Sequence, residues 1–130
     1  MTVVDDYAHH PDEIEATLTA AKQMHYAKVW CVFQPHTYTR TKALFEEFAQ
    51  ALSLADEVVL ADIYAARETD TLGVSSKMLA NRLHEMGVNT HYFADFEEIE
   101  NYLYEQCIHG DLLITMGAGD IVKVGEALVK

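Results

Sequence analysis

Five short apolar runs rich in β-branched and aromatic residues recur along the chain: TVVD at 2–5, KVWCVF at 28–33, EVVLA at 57–61, THYFA at 90–94 and DLLITM at 111–116. Runs of this kind predict strands. Between them apolar residues return at helical spacing, which predicts helices over 11–25, 39–54, 75–86, 96–107 and 120–130. The order is therefore a strict β-α alternation. The strands are nearly continuous in apolar residues instead of alternating, so both of their faces are expected to be covered. This predicts an α/β three-layer sandwich: a mostly parallel sheet of about five or six strands, helices on both faces and right-handed crossovers. In TKALFEEFAQAL the residues Leu44, Phe45, Phe48 and Leu52 share one stripe while Glu46, Glu47 and Gln50 face away, the signature of a helix lying on a core.

Length and composition narrow the partners. At 130 residues the chain is expected to form a single domain, 1–130, since it holds no Ser/Gly run, internal repeat or low-complexity segment. The formal net charge of −12, with only nine Lys and Arg, disfavours nucleic acid and any basic membrane-binding face. No apolar run approaches the ~20 residues of a membrane span, and MTVVDDY lacks the basic region of a signal peptide, so a soluble, cytoplasmic protein is expected. A chain that starts directly on TVVDDY reads as a piece of a longer protein. Cys31 and Cys107 lie far apart in apolar or helical contexts and read as reduced packing residues.

In an open α/β sheet, ligands bind beyond the carboxyl ends of the strands. The unusual residues of this chain fall there. DDYAHHP follows the first strand, FQPHTYTRT the second, ADIYAARE the third and MGAGD the fifth. Pro11 suits the first position of a helix, and Asp12 and Glu13 complement its dipole, which leaves His10 at or near the cap. Asp5 or Asp6 bonds a loop on the plain reading. Adjacent histidines on extended backbone point opposite ways, so His9 and His10 do not suit a shared metal ion, and no metal site is expected. In FQPHTYTRT, Thr39 or Thr41 is placed to cap the next helix. Arg40 near that helix start runs against the macrodipole, and a compensating carboxylate or phosphate at the free N–H groups would relieve the conflict. The alternative is an exposed arginine in water, and His36 could simply close the turn. Tyr64 in ADIYAARE reads as a surface residue covering the sheet edge. Gly117 and Gly119 let backbone approach closely, but the third glycine of a dinucleotide fingerprint and any GxxxxGK[ST] phosphate loop are absent.

Taken together, VVDDYAHHPDEI, FQPHTYTRT, ADIYAARE and MGAGDI resemble, over essentially the whole chain, the C-terminal domain of the Mur ligases. FQPHTYTRT favours the alanine-adding branch over the related murein tripeptide branch. The resemblance implies a Rossmann-like fold and a place in a three-domain peptidoglycan ligase. In such a ligase the N-terminal and central domains of the same chain supply the UDP-sugar site, the phosphate loop and the magnesium ligands. It further implies that ATP and Mg²⁺ serve the whole enzyme, that an acyl phosphate forms on UDP-N-acetylmuramate, and that L-alanine attacks it. By position, Asp6 matches a residue expected near the ATP ribose, and Tyr7, His9, His36 and Arg40 match residues around the amino acid and the new amide. No complete catalytic set is expected in this chain alone. Two positions depart from the family pattern: Thr37, where arginine is common, and Arg67, where glycine is usual. The same residues also suit a different class, a free-standing α/β module binding a small anion at the same rim, or a structural domain whose histidines are caps.

Overall fold

The computed structural model describes residues 1–129. Strands β1 (Thr2–Asp6), β2 (Val29–Phe33), β3 (Glu57–Leu60), β4 (Asn89–Tyr92) and β5 (Leu112–Met116) form one sheet in the order β1-β5-β2-β3-β4, every pair parallel. The helices are α1 (Pro11–Lys22), α2 (Tyr38–Ala43), α3 (Phe45–Leu52), α4 (Ser76–Glu85), α5 (Phe96–Gln106) and α6 (Val122–Leu128).

Alternation within each buried strand divides the core in two. Val29, Cys31 and Phe33 of β2, with Val58, Leu60, Ile114 and Met116, pack against Ile14 and Leu18 of α1, Phe48 and Leu52 of α3, and Leu79 and Leu83 of α4. Trp30 and Val32, with Val59 and Leu113, pack against Ile99 and Leu103 of α5 and Val124 and Leu128 of α6. Both faces are covered, as the continuous apolar strands required. A fully buried leucine such as Leu113 contributes roughly 1.5–3 kcal/mol by leaving water. Both cysteines are free thiols, Cys31 buried and Cys107 half-buried.

The register aligns the strand ends. Asp6 pairs with Met116, Met116 with Phe33, Phe33 with Leu60 and Leu60 with Tyr92, so one row crosses the sheet at its carboxyl edge. The chain steps outward from β1 to β4 and then returns to place β5 between β1 and β2. That reversal puts the loops after β1, β5 and β2 at the switch point where α/β ligands bind.

Three expectations are corrected. The single helix over 39–54 is two helices meeting at Leu44, whose φ of −115° and ψ of 24° leave the helical region. Within α2 the buried Thr41 turns its hydroxyl back onto the Thr37 carbonyl at 2.7 Å, a bond that bends helices, while α3 is held flat on the sheet by Phe48, Ala49, Ala51 and Leu52. The first helix stops at Lys22, with Gln23 as its C-cap. The last begins at Val122, because Asp120 and Ile121 are taken up by contacts with Gln34.

Candidate functional site

The turn after β1 is built by Asp6. Its Oδ1 accepts from the Ala8 N–H at 2.8 Å and its Oδ2 from the Thr17 hydroxyl of α1 at 2.7 Å, so the carboxylate ties the strand end to the helix behind it. The two histidines then part. His10 is the N-cap of α1: its Nδ1 accepts from the Asp12 N–H, and Glu13 closes a capping box on the His10 backbone. The backbone N–H groups of His9 and His10 hold the Glu13 carboxyl below its ordinary range. His9 instead turns to the rim, Nδ1 at 3.0 Å from the Tyr7 carbonyl, with its ring 5.7 Å from Tyr7 and 6.1 Å from His36. A carbonyl only accepts, so His9 donates through Nδ1. Tyr7 stands 68% exposed at the edge of this cluster.

After β2 the chain makes its sharpest departure from ordinary backbone. Thr37 has φ +64°, a conformation that β-branched residues rarely adopt. It is held there by its N–H donating to the Tyr64 carbonyl at 2.8 Å and by its own carbonyl accepting from Thr41 N–H. Thr37, and neither Thr39 nor Thr41, caps α2, its hydroxyl accepting from the Arg40 N–H at 3.3 Å. The anion expected at the helix start is internal: Glu68 accepts from the N–H groups of Tyr38 and Thr39 and from the Thr39 hydroxyl. Those N–H groups are therefore not free for a ligand. Arg40 itself is left over. Its Nη1 lies 3.5 Å from His36 Nδ1, and among the described residues no carboxylate forms an ion pair with it.

His36 is the hub. Because a guanidinium only donates, Nδ1 of His36 faces Arg40 as an acceptor. Burial lowers its pKa, the Arg40 charge and His9 lower it further, and Glu68 opposes them. On its other face Tyr64 stacks at 5.6 Å and 18°. A parallel bridge joins the two residues, with the Tyr64 N–H donating to the Pro35 carbonyl at 2.8 Å. Tyr64 thus covers the histidine and the glycine loop, and not the sheet edge, which belongs to β1 and β4.

The loop after β5 closes the site. Gly117, at φ +149°, donates its N–H to the Asp6 carbonyl at 3.2 Å. A Cβ on Gly119 would stand 2.5 Å from Gln34 Oε1 and 2.8 Å from the Tyr64 ring. Gln34, 5% exposed, donates to Asp120 and accepts from the Ile121 N–H. The glycines are explained by this packing. Gln34, Tyr64, Glu68 and Thr17 are the residues that motif reading missed. A polar residue directly after an all-apolar strand signals Gln34, and an acid in the loop facing Arg40 signals Glu68, whereas Thr17 carries no local signal.

All four segments therefore meet at one rim, with Tyr7, His9, His36, Tyr64 and Arg40 in a row of neighbouring contacts and Asp6 at the end of β1 with its carboxylate turned to Ala8 and Thr17. Among the described residues no group of His, Cys, Asp or Glu is arranged to hold a metal ion, and no helix is long and apolar enough to cross a membrane.

The fold that carries this rim has counterparts among known proteins. Over all 130 residues the chain is 65% identical to UDP-N-acetylmuramate–L-alanine ligase of Lachnospira eligens and 61% identical to that of Agathobacter rectalis, spanning 28% of each relative's length. The crystal structure of UDP-N-acetylmuramate-alanine ligase from Thermotoga maritima superimposes with a TM-score of 0.78 at 32% identity, over 98% of this chain and 25% of that one. The family profile described as Mur ligase, glutamate ligase domain matches residues 1–119, and the chain belongs to that family.

Proposed function

We propose that residues 1–130 are one domain of an ATP-dependent ligase that joins L-alanine to UDP-N-acetylmuramate in peptidoglycan synthesis, the remaining domains lying in the rest of a longer chain. The reading rests on the identity of this chain, over all its residues, to part of such ligases and on one observation in particular: Arg40, a cation without a carboxylate partner among the described residues, presented at the rim beside His36 and the exposed Tyr7. A guanidinium in that setting suits a carboxylate ligand, here that of the amino acid.

ATP, assisted by Mg²⁺, would supply the activating phosphoryl group, and this chain has no phosphate loop of its own. At the ribose end its residues fit. Each Asp6 oxygen already accepts one hydrogen bond and retains a further lone-pair direction for a hydroxyl. Tyr7 and His9 form an aromatic wall that excludes water from the forming amide, and Arg40 orients the attacking amine through the amino-acid carboxylate. The isolated chain is inactive on this view, because the phosphate-binding groups belong to other domains. The test is Arg40→Ala in the complete enzyme. A loss of about tenfold or more in ligase rate is expected for a lost charge-assisted contact. A rate near wild type removes Arg40 from the site.

A further inference from the structure

The rim contains one large residue to which the ligase reading gives no task. Tyr64 is 38% exposed and its hydroxyl has no hydrogen-bond partner among the described residues, yet its ring is held against His36 and Gly119. The bridge to His36 sets its backbone through two hydrogen bonds of 2.8 Å, Tyr64 N–H to the Pro35 carbonyl and Thr37 N–H to the Tyr64 carbonyl. The absent side chain of Gly119 makes the room in which the ring lies. The loops after β2, β3 and β5 thus cooperate to lay one aromatic face on the imidazole of His36.

We infer that Tyr64 is a positioning residue: by stacking on His36 it holds the imidazole with Nδ1 turned toward Arg40, and so aims the guanidinium at the carboxylate of the incoming amino acid. The final clause rests on the proposed function; the stack itself does not. Three charged or titratable neighbours act on His36 from the elements around it: Arg40 from α2, His9 from the β1–α1 turn and Glu68 from the β3–α4 loop. Arg40 and His9 disfavour a protonated imidazole and Glu68 favours it. Tyr64 covers one face of the ring, and burial is the largest influence holding His36 below its ordinary value. A neutral His36 accepts from Arg40; a protonated one repels it and frees the side chain.

The experiment has two readouts. NMR titration of the histidine rings reports the His36 midpoint in wild type, Tyr64→Phe, Tyr64→Ala and Tyr64→Ser. The serine variant uncovers the imidazole equally should the alanine variant fold poorly. With the stack removed, the His36 midpoint moves up toward the ordinary histidine value, and Tyr64→Phe leaves it in place. An unmoved midpoint in both Tyr64→Ala and Tyr64→Ser overturns the inference. In the complete enzyme, the same loss raises KM for L-alanine about tenfold with kcat little changed, and Tyr64→Phe restores it. A shifted His36 midpoint with unchanged KM upholds the stack and overturns the assignment of Arg40 to the amino-acid carboxylate.

Discussion

Glu68 accepts hydrogen bonds from both the backbone N–H and the hydroxyl of Thr39, so a residue of the β3–α4 loop caps a helix that begins 30 positions earlier in the chain. The loop carrying Tyr64 and the helix carrying Arg40 are thereby one unit. The Thr39 hydroxyl foremost, with the Thr39 and Tyr38 N–H groups, holds the Glu68 carboxyl below its ordinary range.

A pH dependence follows. With its folded value depressed, Glu68 contributes stability above the ordinary carboxylate range and loses it as pH falls through the lowered value. Amide exchange at Tyr38 and Thr39 should therefore accelerate in acid, and Glu68→Gln should reproduce at neutral pH much of the acid behaviour. Equal protection of these amides in wild type and Glu68→Gln at neutral pH would show that the cap does not hold the loop.

Asp6 serves the fold and, on the proposed reading, the nucleotide, and the two roles separate by mutation. Thr17→Val removes only the bond to α1 and is expected to cost about 1 kcal/mol of stability while leaving ligase activity within about threefold in the complete enzyme. Asp6→Ala should lose activity by about tenfold or more beyond that structural cost. Parallel losses in the two variants would reduce Asp6 to a structural residue.

Gly119→Ala tests the crowding at the switch point. The added methyl meets Gln34 Oε1 and the Tyr64 ring well inside contact distance, so destabilisation of roughly 1–3 kcal/mol is expected in denaturant melts. A methyl on Gly73 would meet nothing within 4 Å, but the residue sits at φ +72°, so Gly73→Ala costs only backbone strain, and the two losses should differ. A harmless Gly119→Ala would mean that Tyr64 moves aside freely.

At the opposite end of the sheet Asp111, 1% exposed, accepts from the Trp30 indole N–H at 3.0 Å and from the Ile108 N–H at 3.1 Å. Asp111→Ala strands the Trp30 indole N–H in the core, an expected loss of roughly 1–3 kcal/mol. Trp30 is the sole tryptophan, so its fluorescence follows both the local change and the melt. An unshifted urea midpoint would refute the pairing.

The strand runs, the parallel sheet and the gathering of four polar segments at one rim were determined by the sequence alone, because hydrophobic periodicity and turn residues are local and repeat in every element. The His10 cap was equally legible, since Pro11 and Glu13 stand beside it. What decided the remainder was contact between residues distant in the chain. Thr37 caps α2 in a strained conformation because Tyr64, 27 positions later, accepts its N–H. Glu68 takes the helix N–H groups that local reading left open for a ligand, and Thr41 and Leu44 break a helix whose apolar stripe ran straight through. Hydrogen bonds and ring stacking act over a few ångströms irrespective of sequence separation, so only the folded arrangement determines which side chains are spent on each other and which, like Arg40, form no ion pair among the described residues.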